Sequence, residues 1–262
     1  MYKKGLLKID SSGLIVIKHV APLTGQEFDA ISVPRHIYPA IIQSLHVKLC
    51  HPSRSQMSKL AQRYFHSVGS TTTVDDIHKA CQTCTSLSQI KIPAQSFSTT
   101  KVSSFGSSFS ADVMVSEGQR IFLCREKLSQ YTYSKFIPDE RTDTLREAIL
   151  DSVIHLISST GTVIQVDAAP SFQSIANSFI SLQSDDVPSA NNISLDIGRI
   201  HNPNKNPSAG NAVKEFRTEI LRLKPRGGPI SETERVLITR NMNSRIRNRG
   251  LSAKEILLRC EL

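Results

Sequence analysis

The chain has 262 residues, of which 39% are hydrophobic, and it carries a formal net charge of +9 at pH 7. This composition excludes an intrinsically disordered chain, and the length allows one large domain or two modest ones with buried cores. The basic balance favours a polyanionic partner, and the charge alone does not distinguish nucleic acid from an anionic membrane. Residues 199–262 carry most of the excess, because they contain 14 Lys/Arg and 6 Asp/Glu, giving 14 − 6 = +8.

Two further features bear on where the protein works. No stretch approaches the ~18 consecutive apolar residues of a membrane span, and the N-terminal residues lack the apolar run of a signal peptide. The five cysteines show no disulfide-like pattern, which is typical of a reducing compartment. The sequence therefore predicts an intracellular protein with no membrane partner, located in the nucleus if it binds DNA.

The first elements along the chain are short. Residues 1–40 alternate apolar runs with turn residues, which indicates a small β-rich extension. From Ser53 a capping box with Gln56 precedes apolar residues at helical spacing, and this pattern predicts an amphipathic helix. A second short helix is predicted over residues 73–80.

A metal-ligand pattern runs through residues 41–92. It consists of two histidines with four residues between them and a Cys-x-x-Cys pair 30 positions on: His46, His51, Cys81 and Cys84. Zinc prefers four nitrogen and sulfur ligands in a tetrahedron, and two short-range pairs joined by a helical hairpin can supply them. We therefore predict a small helical domain that a structural zinc ion holds together.

Three alternatives to this ligand set remain open at the level of the sequence. Cys50 could replace one of the four ligands, and so could His78, which lies one helical turn before Cys81. In the third alternative no metal binds, because the two thiols of the Cys-x-x-Cys pair are buried and the histidines lie on the surface.

The rest of the chain has an α/β pattern. Residues 93–108 are rich in Ser and Thr and are predicted as a linker. Strands are predicted over residues 109–115, 119–124, 131–137, 162–166 and 193–197. Helices are predicted from residue 142, over 170–180, and from Asn206-Pro207, where Asn is a good N-cap. Three strands followed by alternating helices and strands predict an α/β core over residues 109–224. Capping boxes at Ser231 and Ser252 predict two more helices in a basic tail, residues 225–262.

Two aspartates occupy strand positions in the predicted core. Asp112 lies inside the first strand, and Asp167 directly follows the fourth. A carboxylate in an apolar strand needs a reason, and two carboxylates at the ends of adjacent strands repel each other unless a cation neutralises them. Mg²⁺ is suited to this, and a metal pair there would support phosphoryl chemistry. Either aspartate alone could instead cap a strand end or form a turn.

The ordered set of these residues resembles the integrases of retroviruses and long-terminal-repeat retrotransposons. It looks most like the integrase region of polyproteins from metazoan retrotransposons related to the BEL/Pao group. The resemblance rests on the order of the two histidines, two cysteines and two aspartates, and on three segments: residues 45–53, 137–146 and 197–207. Each motif is moderately specific, the ordered set is highly specific, and the likeness extends from about residue 7 onward.

The resemblance implies an RNase H-like, five-stranded mixed sheet flanked by helices and preceded by the zinc-binding domain. It further implies that Asp112 and Asp167 are catalytic ligands of Mg²⁺, with a glutamate completing the triad near the start of the helix after the last strand. The run that matches the family's Ala-Glu-Lys-Ala is Ala-Gly-Asn-Ala at residues 209–212, so Gly210 occupies the position of that glutamate. The small C-terminal β-barrel of integrases has no counterpart in this sequence.

Loss of the third carboxylate leaves the activity open. One hypothesis is an integrase-like protein that keeps zinc and DNA binding but has impaired catalysis. A second is an active polynucleotidyl transferase with a displaced carboxylate, and a third is a domesticated DNA- or protein-binding module. The acidic residues considered for the displaced position are Glu215, Glu219, Asp185 and Asp186, and nothing in the sequence directs any of them to the site.

Basic residues support DNA contact in each hypothesis. The candidates near the last core helix and in the tail are Lys205, Lys214, Arg217, Arg245, Arg247 and Arg249. They could follow a phosphate backbone, although each could equally form a solvated basic surface. Aromatic residues make up only 6% with no Trp, which argues against stacking on single-stranded bases. By resemblance we expect a homo-oligomer on DNA, and no small-molecule cofactor.

Overall fold

The structure is a computed structural model that describes residues 7–20, 27–67, 70–88, 104–158, 160–181, 193–198, 206–247 and 251–260. The chain divides into two compact units. The N-terminal unit comprises Met1–Ile92 with Arg245–Ser252, and the core unit comprises Pro93–Ser244 with Ala253–Leu262. Within the described helices, none is long and apolar enough to cross a membrane.

The N-terminal unit combines a small sheet with four helices. The strands are β1 (Leu7–Ile9), β2 (Ile15–Val20), β3 (Glu27–Ser32) and β4 (Phe65–His66), in the order β1-β2-β3-β4. The helices are α1 (Tyr38–Lys48), α2 (Arg54–Tyr64), α3 (Ser70–Ala80) and α4 (Gln82–Ser88). The capping box predicted at Ser53 is present. The Ser53 hydroxyl accepts a hydrogen bond from Gln56 N, and the Ser53 backbone amide donates one to the Gln56 side chain. A small cluster around Tyr38, Ile42 and Met57 forms the core of this unit.

The core unit contains a five-stranded mixed sheet. Its strands are β5 (Ser108–Ser116), β6 (Gln119–Glu126), β7 (Thr132–Ile137), β8 (Thr162–Val166) and β9 (Ile193–Ile197). The spatial order is β7-β6-β5-β8-β9, with antiparallel pairing from β5 to β7 and parallel pairing from β5 to β9. Its helices are α5 (Thr142–Val153), α6 (Pro170–Ser181), α7 (Pro207–Leu223), α8 (Glu232–Ser244) and α9 (Ala253–Cys260).

Helices cover both faces of this sheet, because successive side chains of a strand point to opposite sides. On one face Phe109 and Ala111 of β5 pack in a buried cluster with residues of α5 and α6. On the other face Met114 of β5 packs with Phe216 of α7 and Met242 of α8. The strand order and the two helical layers confirm the predicted RNase H-like architecture, and the helical region with the His/Cys group precedes it.

Helix α8 belongs to this packed unit, although the sequence predicts residues 225–262 as a separate basic tail. Ile238 and Met242 are buried in the same cluster as Met114. The Asn243 side chain also pairs with the backbone of β7, accepting from Thr132 N and donating to Thr132 O, both at 2.8 Å. The aliphatic stripe and this pair of hydrogen bonds fix α8 against the sheet.

Gly106 is a position where the fold requires glycine, and we expect Gly106→Ala to destabilise the core unit by at least about 2 kcal/mol. Its φ is +72°, and an added Cβ would overlap the carbonyl oxygen of Leu156. Gly118 is the matched control, because its φ is +74° but a Cβ there meets nothing within 4 Å. Gly118→Ala should lose only the cost of a left-handed L-residue, about 1–2 kcal/mol. Urea unfolding followed by circular dichroism measures both, and equal losses would contradict the clash.

Candidate functional site

The four predicted metal ligands come together in the N-terminal unit. His46 Nε2 lies 3.1 Å from His51 Nδ1 and 3.3 Å from Cys84 Sγ, and Cys81 Sγ lies 3.1 Å from His51 Nδ1. All four ligand atoms are within 4.8 Å of one another. For Zn–N bonds of ~2.0–2.1 Å and Zn–S bonds of ~2.3 Å, a tetrahedron has ligand–ligand edges of roughly 3.3–3.8 Å. The group could therefore hold a metal ion, and its nitrogen and sulfur donors fit the preference of zinc.

A left-handed turn after α1 brings the two histidines together. His46 is buried in the last turn of α1, and the chain then passes through Cys50 and His51 with φ of 54° and 56°. His51 N donates to His46 O at 2.8 Å, which closes the turn. Positive φ at two successive non-glycine residues is uncommon and tends to occur where a site requires it.

The alternative ligands predicted from the sequence lie outside this group. Among the described residues, the candidate metal group consists of the two histidines and two cysteines without Cys50 or His78. The His78 ring is close, with its centroid 6.1 Å from that of His46 in an edge-on orientation. His78 thus belongs to the surroundings of the group.

In the core unit, the register of β5 and β8 relates the position of Asp112 to that of Asp167. The parallel pair β5–β8 aligns Ser108 with Val163 and Ser110 with Gln165, an offset of 163 − 108 = 55 positions. The same offset leads from Asp112 to 112 + 55 = 167, so the two carboxylates follow the paired segment at the same level of neighbouring strands. Each aspartate lies two positions beyond the last aligned pair, Ser110 and Gln165, and Asp167 directly follows β8.

Both aspartates are half-buried. Asp112 has the strand parity of Met114 and so belongs to the face that α7 covers. One carboxylate oxygen of each residue accepts from the following backbone amide, from Val113 N at 2.8 Å and from Ala168 N at 2.5 Å. These bonds hold the carboxylates near their own strands.

Helix α7 begins at the same end of these strands, and Asn206 directly before it connects them. The Asn206 side chain donates through Nδ2 to Ala111 O at 2.9 Å and to Gln165 O at 3.2 Å. Asn206 is the N-cap residue of α7, as the sequence predicts, but its side chain makes no capping bond to the helix. The two carbonyls outcompete the helix end, because they would otherwise lack a partner where the strands separate.

Gly210 lies in the first turn of α7. Its amide donates to Asn206 O at 3.0 Å, and an added Cβ would meet nothing within 4 Å. A longer side chain therefore has room at this position, next to the strand ends that carry the aspartates.

The two glutamates of α7 are engaged elsewhere. Both Glu215 oxygens accept from the guanidinium of Arg125, at 3.1 and 2.9 Å, and Arg125 is only 1% exposed. Glu219 is buried and accepts from Arg222 one turn further along α7. Releasing Glu215 would leave a buried charge without its counter-ion, at a cost of several kcal/mol, of order 3–5. Asp185 and Asp186 lie outside the described residues.

The described members of the predicted DNA-contacting set are divided between the two units. Lys214 and Arg217 share α7 with Gly210, at positions i+4 and i+7, and so fall on one stripe of the helix. Arg245 and Arg247 belong to the N-terminal unit. Lys205 and Arg249 lie outside the described residues.

Sequence analysis did not predict the roles of two residues of the site. Arg125 is the residue before the end of the buried strand β6, and its partner Glu215 is 90 positions away in the sequence. Asn206 bridges carbonyls that are 95 and 41 positions away. Local periodicity carries no information about such distant pairs. A charged residue in an apolar strand, such as Arg125, does indicate that a buried partner exists, because an unpaired buried charge is costly.

Comparison with known proteins shows a likeness among solved structures. A scan against protein-family models finds no match, and a search of curated proteins finds none either. Among solved structures, the chain is similar to the catalytic core domain of BIV integrase, with a TM-score of 0.45 and 19% sequence identity. The likeness covers 60% of this chain and 96% of that one. The strand order and helix packing define the fold independently of it.

Proposed function

We propose that this chain is a retroelement-derived, integrase-like protein that binds DNA and zinc and in which nucleotidyl transfer is impaired at Gly210. The observation that carries the proposal is the β5–β8 register, whose offset relates Asp112 to Asp167, together with the bonds from Asn206 at the start of α7 to both strands. Glycine stands in that turn where the integrase resemblance implies glutamate. The BEL/Pao-like retrotransposon origin, as part of a longer polyprotein, is the finer form of this proposal.

The carboxylate pair supports binding of Mg²⁺. Asp112 and Asp167 would hold the ion, because carboxylate oxygens are its preferred protein ligands. When bound, it would lend Lewis-acid assistance at a phosphate. The chain's own residues orient the pair through the amides of Val113 and Ala168 and through the Asn206 bridge. At Gly210 there is no side chain to add a third negative charge.

The His/Cys group supports a structural zinc site in the same protein. The apolar cluster of the N-terminal unit is small, and a metal that ties α1 to α3 and α4 would compensate for it. His46 and Cys84 are almost fully buried, which shields two of the four ligands from water. We assign this group a structural role.

DNA is the proposed polyanionic partner, bound mainly through phosphates and without base-specific reading. Lys214 and Arg217 continue the stripe that begins at Gly210, so a duplex following that stripe would pass the end of α7 that adjoins Asp112 and Asp167. Lys205, Arg245, Arg247 and Arg249 are the further proposed contacts. A homo-oligomer holding two DNA ends and a nuclear location follow from the integrase proposal.

We expect Lys214→Ala combined with Arg217→Ala to weaken duplex binding similarly for unrelated sequences. Each lost phosphate contact should reduce the slope of log K against log [salt] by about 0.9, or about 1.8 for the pair. Fluorescence anisotropy at several salt concentrations measures both effects. Lys254→Ala is the matched control, because this lysine is exposed on α9 and outside the proposed contacts. An unchanged slope in the double variant would exclude this stripe.

A nicking assay tests the impairment itself. Native protein is incubated with supercoiled and linear duplex DNA in Mg²⁺ and in Mn²⁺, beside Asp112→Asn. We expect no cleavage that depends on Asp112. Cleavage by the native protein that disappears in Asp112→Asn would instead establish the active alternative, with a displaced carboxylate. Glu215 and Glu219 pair with arginines, which argues against either of these α7 residues being the displaced carboxylate. Absence of DNA binding would favour the alternative of a protein-binding module.

A further inference from the structure

The side chain of Asn206 has a fixed orientation between β5 and β8. Its two close neighbours are both carbonyl oxygens, Ala111 O and Gln165 O, which can only accept hydrogen bonds. The amide nitrogen must therefore face them, and the exchange of nitrogen and oxygen that is often ambiguous for Asn is settled here. The oxygen Oδ1 consequently points away from these carbonyls.

This oxygen is buried and, within the described part of the chain, has no hydrogen-bond partner. The same is true of Ser110 Oγ, whose residue is 0% exposed and lies two positions before Asp112 on the same face of β5. Buried oxygens are almost always satisfied in folded proteins. Ser110 is two positions from Asp112 in β5, and Asn206 bonds to the carbonyl of the residue before Asp112, so both oxygens belong to the part of the sheet that carries this aspartate. Such oxygens can act as ligands of a cation.

The position of the amide relates it to the aspartates. Ala111 adjoins Asp112 in the chain, and Gln165 lies two residues before Asp167, so Asn206 reaches both strands where they separate. Amide carbonyl oxygens are ordinary ligands of hard divalent cations beside carboxylates. We infer that Asn206 Oδ1 is a neutral third ligand for a divalent cation held by Asp112 and Asp167, in place of the missing carboxylate.

This inference rests on the proposed function, since it requires the aspartate pair to bind a cation. It also predicts the number of cations that each chain binds at this site. Two carboxylates balance the charge of one divalent ion. A second ion would place two further positive charges, without balancing carboxylates, in a half-buried pocket, which is unfavourable. The site should therefore hold one cation, and Gly210→Glu should allow a second.

Binding of Mn²⁺ to the full chain, loaded with zinc beforehand, tests the inference without reference to activity. Electron paramagnetic resonance counts free Mn²⁺ during a titration. We expect one Mn²⁺ per native chain, two for Gly210→Glu, and none at the core site of Asp112→Asn. Asn206→Ala should weaken binding about tenfold or more, the range known for residues that support a metal site. Asn211→Ala, an exposed asparagine on the same helix, is the control and should bind like the native chain.

A second variant separates a ligand from a strand bridge. Asn206→Asp removes the donor to the two carbonyls, so it lowers the melting temperature of the metal-free protein in either case. If Oδ1 is a ligand, the added charge raises Mn²⁺ affinity above that of the native chain. If Asn206 only connects the strands, Asn206→Asp weakens both stability and affinity.

The outcomes distinguish the inference from the proposed function. Opposite shifts of Mn²⁺ affinity in Asn206→Ala and Asn206→Asp, with one ion per native chain, support the inference. If Mn²⁺ binding requires Asp112 but has the same affinity in the native chain and in both Asn206 variants, the inference is overturned. The proposed cation site at the aspartates is then unaffected. Absence of any binding that depends on Asp112 overturns both.

Discussion

Replacing Gly210 with glutamate is expected to give the protein DNA cleavage and strand-transfer activity, which we propose to be impaired in the native chain. The helix has room for the side chain, because a Cβ at this position meets nothing within 4 Å. The replacement removes a helical glycine, which stabilises α7 by up to ~1 kcal/mol. A carboxylate in the first turn also interacts favourably with the helix dipole. The folded core should therefore accept it.

The expected gain is at least about a hundredfold over background, the scale on which single groups that stabilise a transition state act. A labelled duplex with a recessed 3′ end, incubated with supercoiled target DNA in Mn²⁺, measures joining and cleavage in one reaction. Gly210→Ala separates the carboxylate from the change in helix stability, and it should remain inactive. Gly210→Glu combined with Asp112→Asn should also be inactive, because the pair is incomplete.

Two results would contradict this expectation in different ways. Activity of Gly210→Ala would mean that the glycine impairs α7 and not the ligand set. A folded, Mn²⁺-binding Gly210→Glu variant without activity would mean that chemistry was lost elsewhere in the core unit as well. The second result would leave the binding-module hypothesis ahead.

Removal of zinc is expected to unfold the helical part of the N-terminal unit. The four ligand atoms lie within 4.8 Å of one another, and the unit has only a small apolar cluster besides. For small zinc domains the metal contributes about 10–16 kcal/mol of apparent binding free energy, which is folding free energy. A strong chelator should therefore abolish the helical circular dichroism of α1–α4, and readdition of Zn²⁺ should restore it. Cys84→Ala should behave like the chelated protein.

Thiol labelling gives the same experiment at residue resolution. Cys81 and Cys84 should resist maleimide while zinc is bound and react once it is removed, because the free thiolate is the nucleophile. Cys124 provides an internal reference, since complete burial in β6 raises the pKa of its thiol to about 12 and keeps it unreactive in both states. Peptide mass spectrometry identifies the labelled positions.

His78→Ala is the matched control for the ligand set. Its ring lies beside His46 but outside the group of four, so this variant should retain one zinc ion per chain. Loss of zinc in His78→Ala, with zinc retained in His51→Ala, would move the ligand assignment to α3. Unchanged circular dichroism after chelation would show that the four side chains pack together without a structural metal.

The sequence by itself determined the elements and the candidate ligands, because both are encoded locally. Apolar alternation and helical spacing predicted all five core strands and the helix that carries Gly210, and the RNase H-like sheet is present. The four candidate metal ligands were recognisable because Zn²⁺ requires particular residue types at short spacings. The resemblance to integrases, which rests on the order of motifs, singled out Gly210.

Only the tertiary structure decided how these parts act on one another. The offset that aligns Asp112 with Asp167 is a property of strand pairing, which no single strand specifies. Glu215, a candidate for the displaced carboxylate, is engaged by Arg125. Asn206 is the N-cap residue of α7, but its side chain connects two strands through their carbonyls. Each of these contacts joins residues far apart in the chain, and each arises because a buried charge or carbonyl must find a partner once water is excluded.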